Sequence, residues 1–413
     1  METREGSISV LMLPWLAHGH ISPFLELAKR LTEKNFNIYF CSTNVNLNSV
    51  KKMLPEKYSH SIQLVELHLP SSPELPPHYH TTNGLPSHLM GALKIAFGNS
   101  KPFFSHILST LNPDLVIYDF NMPWVSTAAS ELNIPSILFL IFGSAFISFL
   151  LNRLVNPDTE FPFQSIHLDD YGKTSGGIEK KYIDYLSLLA KKKVQPVGPL
   201  VQEIVDRDED IEVMRFLHNK DESSVVFVSF GTEFFLSNEE MHEIAHGLEL
   251  SRVNFIWVNR FPLGEKTSIE DALPQGFRDR VGDLGMVVEG WSPQAKILGH
   301  SSTGGFVSHC GWSSVMESIK FGVPIIAMPM HLDQPLNAGL VDEVGVGMEV
   351  MRDETGKLDR EEIARVITTL LVKENGMKFR NKARELTEKM TVKEAEEIDE
   401  VVEGVVQLCG KRK

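Results

Sequence analysis

The sequence predicts an α/β protein of two doubly wound domains with an interdomain cleft, and three observations predict it. Its 413 residues exceed one domain of roughly 100–200 residues. Its composition, 42% hydrophobic and 23% charged, suits a chain that buries large cores and excludes disorder for most of its length. Finally, the same order of elements opens each half: apolar strand, Gly-containing turn, amphipathic helix, apolar strand.

In the first half, Ser7–Leu13 is a continuous apolar run, as expected of a buried parallel strand. The loop PWLAHGH follows, then Phe24, Leu27, Ala28 and Leu31 at helical spacing, then the strand-like Asn37–Cys41. Leu115–Asp119 reads as a further strand, and the uncharged stretch Leu132–Asn152 divides into strand-like Ile134–Ile141 and a helix from Ser144. In the second half, Ser224–Phe230 is a strand and Gly231-Thr232 a turn. Ser237 with Glu240 forms a capping box opening a helix whose apolar face is Met241, Ile244, Ala245 and Leu248. Asn254–Val258 is the next strand. Between the halves, Pro196-Val-Gly-Pro-Leu200 and the acidic 206–210 stretch read as a linker. Near the C-terminus, Asp359 and Glu362 open a helix to Leu371, and a last helix carries Ile398, Val401, Val402 and Val405. Paired domains of this kind bind ligands beyond the carboxyl ends of their strands.

Forty Lys+Arg against 54 Asp+Glu give a net charge of −14, with no basic cluster, so neither a nucleic acid nor an anionic membrane is an expected partner. Cys41, Cys310 and Cys409 lie far apart, and no Asn-x-Ser/Thr acceptor exists, which fits a reducing cytoplasm. The N-terminus is too acidic for a secretory signal. Leu132–Asn152 is long enough to span a bilayer, but Pro135, Ser136, Gly143, Ser144 and Ser148 interrupt it, and no membrane span is expected.

Among the motifs, His242-Glu-Ile-Ala-His246 satisfies the HExxH zinc pattern. It lacks a third ligand at either usual spacing, so a surface helix is the better reading. Asp206-Arg-Asp208-Glu-Asp210 offers Asp-x-Asp twice, a spacing able to hold a metal-bound diphosphate, and reads more simply as solvated charge. No metal is expected. The stretch from Trp291 to Gln334 is richer. Its strand 304–308 runs into His309-Cys-Gly311 and a short helix from Ser313 to Lys320, so free N–H groups and the helix dipole converge where an anion can bind, with His309 and Ser314 beside them. Another strand follows at Gly322–Ile326, then an extended polar loop, Met330–Gln334.

This 44-residue stretch resembles the signature box of the plant family-one UDP-glycosyltransferases at Trp291, Gln294, His300, Phe306, His309-Cys310-Gly311-Trp312, Ser314, Glu317, Gly322-Val323-Pro324, Pro329 and Asp333-Gln334. The resemblance extends through Pro14…Gly19-His20, Leu115–Asp119 and Ser229-Phe-Gly-Thr232. It implies the GT-B fold of two facing Rossmann-like domains: an acceptor domain (1–200), a UDP-sugar domain (201–395), and a C-terminal helix (396–413) packing back toward the first. It also implies donor-site roles. Trp291 stacks on uracil, with Ser292 beside it; Gln294 reaches the uridine and Glu317 takes the ribose hydroxyls. His309, Ser314 and the N–H groups near Gly311 and Thr232 hold the diphosphate, with Gly19 also in the UDP-sugar site, while Trp312, Asp333 and Gln334 meet the sugar, a glucose-type pattern. Ser313 replaces the family's usual Asn, so a contact there is lost or weaker.

His20 could be an ordinary loop histidine like His18; the family match makes it the base that deprotonates an acceptor hydroxyl, with Asp119 fixing its tautomer. The implied reaction is inverting transfer from UDP-glucose, without metal or further cofactor, by a cytoplasmic monomer. Its acceptor would be a sugar already attached to a terpenoid or flavonoid. SIQLVELHLPSSPELPPHYHTTNGLP and IDYLSLLAKKKVQPVGPL resemble the cucurbit mogroside enzymes within the family. Transfer to an aglycone, and a UDP-sugar-binding relative without turnover, are the alternatives. Acceptor-pocket candidates are Ser87, His88, Met90, Asn121, Trp124, Phe142, Ser144 and His331, the apolar ones being equally candidates for core. Family members run longer than 413 residues, and the Gly172–Gly177 join marks where the chain is short.

Overall fold

The computed structural model describes residues 7–163, 180–204, 211–264, 268–372 and 376–410. The 172–177 join and the 206–210 Asp-x-Asp stretch lie outside them. Packing groups the chain into two units. One comprises Met1–Ile141, Gln195–Leu200 and Ala395–Lys413; the other comprises Phe142–Val194 and Val201–Glu394.

The first unit holds β1 (Ser9–Leu13), β2 (Asn37–Ser42), β3 (Ile62–Glu66), β4 (Leu115–Asp119) and β5 (Ser136–Phe139), all parallel in the order β3-β2-β1-β4-β5. The order reverses between β1 and β4, where Leu13 stands opposite Tyr118. Ligands of doubly wound folds bind beyond the strand ends at such a reversal. The helix His18–Glu33 follows β1 and buries Phe24, Leu25, Leu27, Ala28 and Leu31, as its 3.6-residue spacing predicts.

The second unit holds β6 (Val225–Ser229), β7 (Asn254–Asn259), β8 (Gly285–Glu289), β9 (Thr303–Ser308), β10 (Ile325–Ala327) and β11 (Gly347–Glu349), parallel in the order β11-β10-β9-β6-β7-β8. Its reversal lies between β6 and β9. Helices cover both faces. Val226 and Val228 of β6 pack with Met241, Ile244, Leu248 and Ile367, while Val225 and Phe227 pack with Leu217, Ile297 and Phe306. Burial on both faces is why β6 reads as one apolar run rather than an alternation, each side chain contributing about 1.5–3 kcal/mol. The capping box forms as its sequence requires: Ser237 Oγ accepts from Glu240 N (3.2 Å), and Glu240 Oε2 accepts from Ser237 N (3.0 Å).

One element follows the sequence pattern and another runs past it. The uncharged 132–152 stretch divides into β5 and the helix Ser144–Val155, and among the described residues no helix is long and apolar enough to cross a membrane. The C-terminal helix begins much earlier than its apolar stripe, running unbroken from Gly376 to Gly410. Its 376–394 portion carries an apolar stripe of its own, Phe379, Ala383 and Leu386 at i, i+4 and i+7, all three buried. Beyond it, Ile398 and Val405 are buried, and Asp399 and Glu400 accept from Lys34 Nζ (2.5 Å) and Gln195 Nε2 (2.6 Å) within the first unit.

Candidate active site

At the reversal of the first sheet, β4 ends on Asp119, whose side chain is fully buried. A buried carboxylate is tolerated only when donors surround it. Here Oδ2 accepts from Trp15 N (3.1 Å) and bonds His20 Nδ1 (2.6 Å), and Oδ1 accepts from Phe120 N (2.7 Å). An ionised carboxylate only accepts, so the proton between the pair sits on His20 Nδ1 and the lone pair on Nε2. His20 lies in the first turn of the helix after β1, 8% exposed, with its ring stacked on Phe120 at 6.0 Å. Gly19 precedes it, and a Cβ there would meet open space. The sequence-predicted base and its orienter are thus brought into contact from positions 99 residues apart.

At the reversal of the second sheet, β6 runs into Gly231-Thr232, and β9 runs into His309, Cys310 and Gly311, which caps the helix Trp312–Lys320. That helix has no side-chain cap at its N-terminus, so its first N–H groups and dipole are available to an anion. The His309 imidazole sits between two glycines. A Cβ at Gly231 or at Gly311 would approach Nε2 to 2.7 Å, and Gly231 also adopts a left-handed backbone (φ 75°). Both positions therefore need a residue without Cβ. Burial, with the charge of His331 added, pushes the His309 pKa down to about 4, so the ring is a neutral N–H donor at pH 7. Its Nδ1 is buried and without a protein partner.

Toward β8, Trp291 leaves half its surface exposed, while Ser292 is buried with Oγ unpartnered. Gln294 Nε2 donates to Glu317 Oε2 (2.6 Å) and approaches Ser314 Oγ (3.3 Å), so the three predicted uridine and phosphate residues form one network. Ser313 lies beside them in the helix's first turn. The Met330–Gln334 loop is not extended: Leu332 turns it with φ 58°. Gln334 Oε1 then accepts from Met330 N (2.9 Å) and His331 N (3.0 Å), and Asp333 Oδ2 accepts from Asn337 Nδ2 (2.6 Å).

Matches to known families cover both units. Residues 6–198 match the family described as "Glycosyltransferase, N-terminal domain", and residues 191–385 match "UDP-glucoronosyl and UDP-glucosyl transferase". The chain is 52% identical to the "Beta-D-glucosyl crocetin beta-1,6-glucosyltransferase" of Gardenia jasminoides, covering 96% of this chain and 98% of the relative. It is 53% identical to a "Mogroside IIIx synthase" of Siraitia grosvenorii, covering 95% and 92%. The chain belongs to the UDP-glycosyltransferase family. A solved structure of Phytolacca americana UGT2 complexed with UDP-2fluoro-glucose and pterostilbene superposes with a TM-score of 0.74 at 25% identity, over 98% of this chain and 100% of that one. The GT-B fold is accordingly that of the family. The alignment to the Gardenia enzyme spans 435 positions, more than this chain's 413 residues, so this glycosyltransferase is locally shorter than its relative.

Other candidates fall elsewhere. Trp124 packs edge-on against Phe104 (5.5 Å) and against Phe97 (6.1 Å) at the border of the first core. Ser87, His88 and Asn121 are exposed and Met90 half-buried, all in the first unit. Phe142, against Phe146 (5.4 Å), and Ser144, opening its helix, group with the second unit. His331 packs against Phe234 (5.3 Å) and influences His309, which puts it near the 309–311 turn. In the HExxH helix, Arg360 occupies the Glu243 carboxylate through its backbone N (3.0 Å), Nε (2.9 Å) and Nη2, and His246 pairs with Glu249 (3.5 Å). Among the described residues, no set of three His, Cys, Asp or Glu could hold a metal.

Sequence reasoning missed Phe234 and Asn337. The signal for Asn337 was a poor helix former four residues after Asp333, at the register of the buried Ala338 and Val341.

Proposed function

We propose that this glycosyltransferase transfers glucose from UDP-glucose, with inversion and without metal, to a sugar of a plant terpenoid or flavonoid glycoside in the cytoplasm, acting as a monomer. The observation that carries the reading is the buried His20–Asp119 pair with Nε2 left as acceptor. A sugar hydroxyl has a pKa far above 7, so Nε2 takes its proton as the new C–O bond forms. Asp119 then stabilises the imidazolium. The bond from the anomeric carbon to the phosphate oxygen breaks as the new one forms, and UDP leaves with its charge. The helix N-terminus at Gly311 and the neutral His309 suit that developing charge, a task that metal ions perform elsewhere. One displacement converts an α-linked donor into a β-glucoside.

Trp291 supplies an aromatic face for uracil, and Gln294 holds Glu317 toward the ribose. Asp333 and Gln334, with Trp312, read the sugar hydroxyls. The activities for which the Gardenia and Siraitia relatives are named support a glycoside acceptor. The test is to incubate the protein with UDP-glucose and matched panels of aglycones and glucosides, with and without EDTA. The expected result is one added hexose on glucosides, unchanged by EDTA. Gain only on aglycones would overturn the acceptor assignment, and loss with EDTA the metal independence.

A further inference from the structure

Two residues bearing Cβ sit in the left-handed region at the donor site: Cys310 (φ 63°), between His309 and Gly311, and Leu332 (φ 58°), between His331 and Asp333. Such conformations persist only where surrounding structure over-determines them. Packing of the Leu332 side chain cannot do this, since it is 71% exposed. Both turns instead meet at one buried amide. Asn337 is 2% exposed, and its Nδ2 donates to Cys310 O (2.9 Å) and to Asp333 Oδ2 (2.6 Å). The two hydrogens of a planar amide diverge at a fixed angle, so one side chain sets the spacing of its two acceptors. Those acceptors belong to different tasks: the Cys310 carbonyl lies in the turn leading to the diphosphate-binding helix, and the Asp333 carboxylate in the sugar-reading loop.

We propose that Asn337 is a positioning residue that sets donor-sugar specificity by fixing the Asp333 carboxylate against the diphosphate turn. Sugar hydroxyls are then read at a fixed distance from the phosphates. No other common side chain replaces it. Aspartate would face two acceptors with an acceptor, serine has a single hydrogen to donate, and glutamine is one carbon too long. The inference rests on the UDP-sugar reading above.

The test compares wild type with Asn337→Ala and Asn337→Asp. It measures kcat/KM for UDP-glucose and UDP-galactose, which differ only in the configuration at C4, together with the Kd for UDP and the melting temperature. In Asn337→Ala the preference between the two donors is expected to fall at least 10-fold, with UDP affinity within about 3-fold of wild type; Asn337→Asp is expected to lose more. Should the alanine variant not fold, Asn337→Ser is subject to the same criterion. An unchanged preference, a parallel loss of UDP affinity, or a wild type that uses both donors equally would overturn the proposal. A wild type inert toward every UDP-sugar would instead overturn the functional reading on which it rests.

Discussion

The two sheets of this glycosyltransferase present the same local construction with opposite electrostatics. In each, a parallel strand beside the point of order reversal runs through a short loop into a helix without a side-chain cap, and a histidine stands at the junction. His20 has a buried carboxylate partner at 2.6 Å that fixes Nδ1–H and leaves Nε2 to accept. His309 has no carboxylate; it has two glycines, burial and a second histidine, which keep it neutral down to about pH 4. The comparison teaches that a shared scaffold assigns no role to an imidazole. The partner of its ring does: one has its Nδ1 bound to a carboxylate, the other has no carboxylate and stays uncharged at neutral pH.

The largest effect should come from removing the accepting imidazole. His20→Ala should lower kcat by about 10²–10⁴ with the KM for UDP-glucose little changed, and Asp119→Asn should act in the same range by releasing the tautomer. Steady-state kinetics with a glucoside acceptor decide this, and a rise in KM with kcat unchanged would break the comparison.

The opposite histidine predicts a pH effect on stability. Because the folded pKa of His309 is about 4 against 6.5 for an ordinary histidine, the unfolded chain binds a proton that the folded chain refuses between those values. Stability therefore falls as pH drops from about 6.5 to about 4, by at most about 3 kcal/mol from this group. His309→Gln should flatten that part of the curve in denaturant titrations.

Filling the notch tests whether the neutral ring must stay in place. Gly311→Ala, whose Cβ would meet Nε2 at 2.7 Å, should cost roughly 10–100-fold in kcat/KM through the displaced donor, with the melting temperature shifting by only a few degrees. The smallest effect should be at Trp291. Losing one base-stacking face costs about 1–3 kcal/mol, so Trp291→Ala should raise the KM for UDP-glucose about 10-fold or more, with kcat nearly unchanged.

Much of this arrangement is legible in the sequence because its signals are local. Continuous apolar runs mark strands buried on both faces, and Ser237 with Glu240 marks a helix start. His309-Cys-Gly311 at the end of a strand marks the turn into a helix N-terminus. The His20–Asp119 pairing was legible only through family resemblance, since nothing in the spacing of residues 99 apart places them together; the parallel β1–β4 register does that. The turn at Leu332 was illegible, because leucine carries no preference for a left-handed backbone. So was the Asn337 clamp, whose two acceptors come from separate loops. The HExxH helix shows the converse: a sharp local pattern whose glutamate is taken up by Arg360, far along the chain.

The central claim, that the two histidines hold opposite roles, is tested most directly by ¹⁵N NMR of histidine-labelled protein across pH 4–8, with His20→Gln and His309→Gln used to assign the signals. The account predicts a neutral-state His20 signal with its proton on Nδ1 and none on Nε2, and a His309 signal that stays neutral until about pH 4. A His309 that titrates near 6.5, or a His20 carrying its neutral-state proton on Nε2, would contradict it.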